Sequence, residues 1–472
     1  MSTEDVVSPE RGEHTLLLGE VRRERVVDLR INDALLLWDQ VIEHLDRARV
    51  PDRTPFLAER SGQVESLRYV NAYLRAAAQQ RAYPLQTLRS QHATALRRLL
   101  EFVRTARDPS ADIVHVTRED LFDFSDRRQM TLRASSWNGE LSIIGNAFRY
   151  ALEVGWIAQD PIARWGKSRR VTMKAKETYV RRVRFLKEEQ ARFFLEAGLR
   201  ADGAATEART PYPERDYVFG LTLVSTGFRR NEAALLLDAE IPRTVEPNGV
   251  HTFWRVGKNN RPREIWIADS LALAVDHYRL VEREFLVQRA QRLLRKARRE
   301  GRIPIVEAID GPRELRFRVN GVSMRAEQMN DDLRRHAVRV RPDGILDPLA
   351  LFVMQGGHGP STNRFNETFN DASERIALLG PRHDAPPAHL SVTPHVLRHT
   401  FAVRMLAALM RHGRETAGDP NIHLTQPLLV VQELLGHARR DTTDLYLRYA
   451  HRYSDQVADV IRDAAVRMVS KI

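Results

Sequence analysis

Four short stretches in the C-terminal half of the chain hold side chains that can do chemistry. "VSTGFRRNEAALLL" sets a Thr-Gly break between two apolar runs and places Arg229 at the start of the second. "VGKNNRP" puts Lys258 in a turn between two strand-like runs, and "VTPHVLRHTFA" carries His395 and Arg398 three apart, on one helical face. "LLGHARRDTTDLYLRYA" holds His437, Thr442, Thr443 and Tyr446 close together. Guanidiniums fork around anionic groups, imidazoles move protons near neutral pH, and a phenol is a nucleophile only once its proton is removed. Singly, each stretch has a bland reading: an Arg after a turn, a Lys in a hairpin, an i, i+3 pair, and a Tyr on an amphipathic helix. Together, in this order, they are specific.

The elements that must position them can be read locally. The apolar run "LLVVQELL" stops at Gly436, a residue suited to the left-handed position past a helix end. Asp441 or Thr442 then caps a new short helix with Tyr446 on its first turns and His437 in the loop before it. "GVHTFWRV" and "REIWIA" flank "GKNNRP" as a hairpin, so Lys258 sits at its tip. "RELRFRVNGVSMR" alternates around Asn320-Gly321, a second hairpin signal.

The chain has 472 residues, 43% hydrophobic and 29% charged, with no cysteine and a net charge of +12. That composition describes a soluble globular protein. It excludes disulfides and thiol metal sites, and no apolar run is long enough to span a bilayer. The N-terminus lacks the basic start and apolar run of a secretory signal. The positive balance, mostly Arg, suits a polyanionic partner, because phosphate contacts release counterions and dominate affinity.

Residues 1–62 form an N-terminal extension to which the sequence assigns no role. Residues 63–165 carry apolar residues at three- and four-residue spacing and predict a bundle of four or five helices. Within it "TREDLFDFSDRR" opens on a capping-type Thr and "SSWNGELSIIGNAFRYALEVG" ends at Gly155. Residues 166–184, densely basic and without apolar periodicity, read as an interdomain linker able to cross DNA, with Lys167, Arg169, Arg170, Lys174 and Lys176 as its contacts. Residues 185–472 form a second, mainly helical domain with an insertion at about 286–346. The fold class is therefore mainly α with a small β-hairpin or sheet.

The four stretches resemble the tyrosine recombinase (phage integrase) family, whose catalytic domain carries Arg, Lys, His-x-x-Arg, His or Trp, and Tyr. Arg229 and Glu232 sit in its Thr-Gly-x-Arg-x-x-Glu pattern, and Lys258 matches the hairpin Lys. "HVLRHTFA" follows His-x-Leu-Arg-His-x-Phe, and the Leu-Gly-His motif precedes Tyr446 by the family's step. The resemblance covers about residues 65–460, and the bundle resembles the family's core-binding domain. The departures are the 286–346 insertion, an expanded segment before the last motif, and residues 1–62.

The resemblance implies a site-specific DNA recombinase, the integrase or transposase of a mobile element, that cuts and rejoins strands through a 3′-phosphotyrosine. It implies Arg229 and Arg398 on the phosphate, His395 as proton acceptor, Lys258 as general acid, His437 as phosphate hydrogen-bond donor, Glu232 in support and Tyr446 as nucleophile. No cofactor or metal is expected, and "GGHG" around His358 reads as a loop. Expected partners are double-stranded DNA, further copies of the chain in a tetrameric synapse, and accessory recombinases or directionality factors, in a cytoplasmic, nucleoid-associated setting without a membrane. Arg230 reads as a solvent or backbone-phosphate contact, His399 as a packing or supporting residue, and Tyr449 as wrongly spaced for a nucleophile. The alternative from another class is a DNA-binding regulator that kept the fold and lost the chemistry; here no member of the catalytic set is missing.

Overall fold

The computed structural model describes residues 16–21, 43, 45–60, 64–165, 170–176, 183–202, 210–243, 250–257, 262–310, 316–319, 321–361, 363–380, 385–386, 391–415, 426–437 and 440–453. These fall into two compact units, residues 1–180 and 181–472.

The first unit is a helical bundle: α1 (Arg68–Gln79), α2 (85–106, with a widened π-type stretch over its first half), α3 (Arg118–Thr131) and α4 (Ala134–Glu153). Thr117 and Asp120 form a reciprocal cap at the start of α3, each side chain accepting from the other's backbone N–H. Two strands unforeseen in the sequence, β1 (Leu16–Glu20) and β2 (Pro55–Glu59), pair antiparallel, and Leu16 and Leu57 enter the same core as Val70, Leu99, Trp137 and Phe148. Part of the region before residue 62 therefore belongs to the bundle.

The basic stretch departs from the linker reading over residues 170–176. Strand β3 (Arg164–Trp165) pairs with β4 (Arg170–Val171), and Met173 is buried in the bundle core. The Trp137 indole donates to the Met173 carbonyl at 2.7 Å, and the Asn138 amide exchanges two hydrogen bonds with Ala175. Aromatic anchoring, invisible to a periodicity argument, makes this segment part of the fold.

The second unit runs through α5 (188–200), α6 (Pro213–Thr226), α7 (Arg230–Ala234), hairpin β5 (Val250–Val256)–β6 (Pro262–Ala268) and the long helix α8 (269–299). After the predicted insertion come α10 (Arg364–Leu378), α11 (Pro394–Glu415), α12 (Pro427–Leu435) and α13 (Arg440–Tyr453). Both predicted hairpins form, the second as β8 (Arg316–Val319) and β9 (Val322–Arg325).

The insertion holds more β structure than the sequence suggested. Strands β7 (Ile305–Asp310), β10 (Val338–Val340) and β11 (Leu346–Pro348) join β8 and β9 in a five-stranded sheet of order β11-β10-β7-β8-β9, with β10 and β7 parallel. The helix α9 (Asp331–His336) lies between β9 and β10. Buried ion pairs fasten this insert: Glu240 accepts from both Arg255 and Arg334, and Asp347 pairs with Arg283. Such pairs are hidden from sequence because the partners lie up to 94 residues apart. Among the described residues, no helix is long and apolar enough to cross a membrane.

Candidate active site

Arg229 reaches its position through two backbone devices. Helix α6 ends at Gly227 in the left-handed conformation (φ +65°), where a Cβ would strike the Phe401 ring at 2.4 Å. The chain then turns, and Arg229 caps α7 with its own N–H donating to Glu232 Oε2 at 2.9 Å. The Arg229 guanidinium donates to Glu232 Oε1 at 2.9 Å and to the Gly436 carbonyl at 3.1 Å. It thus bridges the first and last of the four sequence stretches.

Glu232 is buried and shared. Arg263, on β6, approaches it with Nη2 2.6 Å from Oε2. Burial alone would raise this carboxyl, but Arg263 and then Arg229 outweigh it and hold the carboxyl down at about 2. Arg263 was missed in the sequence, where it reads as one more charged strand residue. The alternation that buries Arg263, Ile265 and Ile267 on one face of β6 was the available signal.

Lys258, Lys167 and Arg169 lie outside the described residues, and of Arg170 only the backbone is described. Gly257, immediately before Lys258, abuts the site: a Cβ there would lie 2.9 Å from Arg263 Nη1 and 3.1 Å from Glu232 Oε1. Lys174 and Lys176 are exposed in the first unit.

Arg398, on α11, is 2% exposed and donates to the Gly227 carbonyl and, at 2.7 Å, to the Leu435 carbonyl. Both acceptors are helix-end carbonyls that the two glycine breaks leave available. Burial and the nearby Arg229 push its guanidinium down to about 9, still charged at neutral pH. Two cations are therefore held together by backbone carbonyls and one carboxylate, a pre-built site for an anion.

Helix α12 ends at Gly436 (φ +60°), with Arg263 Nη1 3.0 Å from where a Cβ would be. His437 follows, and its Nδ1 lies 2.9 Å from the buried Thr443 hydroxyl. Burial, then Arg398 and Arg229, lower this imidazole to about 3, so it is neutral. If the Thr443 hydroxyl donates to Nδ1, the remaining proton sits on Nε2, which becomes a donor.

Tyr446 is 2% exposed, in a small core with Phe401, Leu406, Val431 and Leu435, and its ring stacks on His437 at 6.1 Å. Burial lifts its phenol to about 12 against the pull of Arg398 and Arg229. Its hydroxyl hydrogen-bonds to Nδ1 of His399 at 2.8 Å. His399 therefore touches the phenol oxygen directly, closer than the supporting role read for it. His395, one turn earlier and open to solvent, stacks on His399 with ring centroids 5.7 Å apart. Partial burial and then Arg398, Arg229 and Arg230 lower it.

Arg230 is half-buried beside Asn231, and His358 bonds only the adjacent Gly359 carbonyl. The Tyr449 hydroxyl accepts from the Val183 N–H at 3.2 Å while its ring meets Phe185 edge-on, a structural post. A cleft of about 760 Å³ opens beside the site, lined in part by Trp254, Trp266, Met405 and His437.

No protein-family model matches the chain. Over 128 residues it is 32% identical to the tyrosine recombinase XerD of Lacticaseibacillus casei, a match covering 27% of this chain and 35% of that protein. That stretch is similar to a tyrosine recombinase. The match spans about a third of the length of that curated relative. Among solved structures, similar folds include the Tn1549 transposon integrase in complex with transposon right end DNA, at 17% identity, TM-score 0.45, and coverage of 84% of this chain and 99% of that one. The XerH recombinase bound to palindromic difH substrate, post-cleavage, aligns at 16% identity, TM-score 0.45, over 94% and 100% of the two chains. A lambda integrase dimer bound to a COC′ core site aligns at 16% identity, TM-score 0.43, over 80% and 94%.

Proposed function

We propose that this chain is a site-specific DNA recombinase, the integrase or transposase of a mobile element, that cleaves and rejoins duplex DNA through a 3′-phosphotyrosine. The observation that carries the reading is the nest itself. Arg229, Arg398, His437 and Tyr446, from three separate stretches, converge around one point, with backbone carbonyls and Glu232 pinning the cations.

In this reading a DNA phosphodiester binds between the two guanidiniums, which neutralise its nonbridging oxygens as charge accumulates in the transition state. The His437 Nε2–H donates to the same phosphate. The Tyr446 oxygen attacks phosphorus, its proton passing to an imidazole of α11, for which His395 is the acceptor in the family's pattern. The bond to the 5′ oxygen breaks, and Lys258, in the sequence between β5 and β6, protonates that leaving group. The phosphotyrosine conserves the bond energy, so religation to another strand needs neither ATP nor a metal ion. Residues 63–165 would serve as the core-binding domain, with Lys174 and Lys176 as phosphate contacts, and the active assembly would be a tetramer of this chain on DNA, with accessory recombinases or directionality factors setting its direction.

The test is covalent capture. On a nicked duplex that traps the intermediate, the wild-type chain should form a protein–DNA adduct and Tyr446→Phe should form none while retaining duplex binding. An adduct from Tyr446→Phe would overturn the assignment.

A further inference from the structure

Two imidazoles could take the Tyr446 proton, and the geometry separates them. His395 and His399 stand one turn apart on α11, so their rings project from one face and stack at 5.7 Å with 15° between their planes. His395 is the outer ring, open to solvent. His399 is the inner one, and its Nδ1 alone of the pair lies within hydrogen-bond distance of the phenol oxygen, at 2.8 Å. The aromatic rings of Tyr446 and His399 are 5.6 Å apart and tilted by 54°, so the contact is edge-directed rather than a stack.

The surroundings keep His399 able to accept. Burial, then His395 and Arg398, lower its ring to about 4, so at neutral pH it carries no charge and has a free lone pair. In the tautomer with its proton on Nε2, His399 presents the Nδ1 lone pair and the phenol O–H donates to it along that line. The next residue, Thr400, is buried with its hydroxyl donating to the Val396 carbonyl and accepting from the Leu186 N–H, which fixes the helix turn on which His399 stands.

We infer that His399 is a further catalytic residue, the proton acceptor for Tyr446 in strand cleavage. The inference rests on the recombinase reading above. In the step, the Tyr446 O–H bond breaks and its proton forms a new N–H bond at His399 Nδ1. The electron pair left on the phenol oxygen forms the bond to phosphorus. The phosphorus–O5′ bond breaks, and its electron pair takes the proton supplied by Lys258. The bound phosphodiester brings the negative charge that offsets Arg229 and Arg398, so a positive charge on His399 is tolerated only with substrate in place. In religation the same nitrogen returns the proton to the departing phenolate. His395, freed from that task, is the outer ring available to a phosphate oxygen.

The experiment is single-turnover adduct formation on the nicked duplex, with duplex binding and thermal melting measured alongside. It compares wild type, His399→Ala, His399→Asn, His399→Gly and His395→Ala. Asn is close in shape to part of the imidazole and can accept a hydrogen bond, but it cannot take a proton. Removing a general base is worth roughly 10²- to 10⁴-fold, so both His399→Ala and His399→Asn should slow adduct formation by that much with binding kept. Azoles added to His399→Gly should restore the rate, and more so the more basic the azole. His395→Ala should lose less than His399→Asn. Near wild-type rates from His399→Asn would show that the ring only aligns the phenol, and so would rescue that ignores azole basicity. Either result overturns the assignment. A wild-type chain that forms no adduct would instead sink the recombinase reading itself, which keeps the two failures apart.

Discussion

Replacing Glu232 by Gln removes the carboxylate that both Arg229 and Arg263 contact, and the structure sets the size of the effect. The free carboxyl titrates at 4.5 and the folded one at about 2. At about 1.4 kcal/mol per pH unit, that difference is ~3 kcal/mol of folding stability at neutral pH. The same order, about 3–5 kcal/mol, is expected for removing one member of a buried ion pair. Because the folded carboxyl is depressed, its contribution is complete above the unfolded value and is lost as pH falls through the folded one. Urea unfolding of wild type and Glu232→Gln should therefore differ by ~3 kcal/mol at pH 7, and the gap should shrink progressively between about pH 5 and pH 2. The relevant signal is the transition of the second unit, followed for example by the fluorescence of Trp254 and Trp266 against Trp-to-Phe controls. A gap that stays constant with pH would refute the ionic account, since lost packing does not titrate. A neutral substitution at pH 7 would refute it outright.

Other outcomes follow from the same geometry. Arg229→Lys should lose most single-turnover cleavage, because one ammonium cannot serve both Glu232 and Gly436 while facing a phosphate, whereas Arg230→Lys should be nearly silent; equal losses would mean the roles are misassigned. Lys258→Ala should slow cleavage by about 10²- to 10⁴-fold but recover on a duplex with sulfur at the bridging 5′ position, whose leaving group needs no proton; Arg398→Ala should not recover there, and rescue of neither would move the acid elsewhere. Tyr449→Phe should still form the adduct while melting lower by about 1 kcal/mol for the lost Val183 hydrogen bond. Arg334→Met should cost about 3–5 kcal/mol in chemical denaturation by leaving Glu240 with Arg255 alone; unchanged stability would show that the insert is not fastened there.

The candidate site residues were legible because their motifs combine two constraints at once. Arg229 and His437 each follow a glycine that must turn left-handed, and His395 and Arg398 share a helix face. Such local rules survive in a single sequence. What stayed hidden depends on long-range pairing. His399 lies one turn from His395, and no spacing rule says which ring the chain turns inward. Arg263 is one of many arginines, and only the fold shows that its strand face meets Glu232. The strands near Leu16 and Leu57 lie far apart in sequence, and the insert's sheet is built from strands as short as three residues. Met173 escaped notice because one indole hydrogen bond, rather than a periodic apolar face, draws its segment onto the bundle.

The burial that lifts the Tyr446 phenol to about 12 also governs the protein at rest. At pH 7 such a group is ionised in about one molecule in 10⁵, against about one in 10³ for a phenol in water. The buried phenol thus carries roughly a hundredfold less phenolate than a surface tyrosine would. On the recombinase reading proposed above, idleness of this kind is a form of fidelity: accidental nicking is suppressed by keeping the phenol protonated, before any base pair is read.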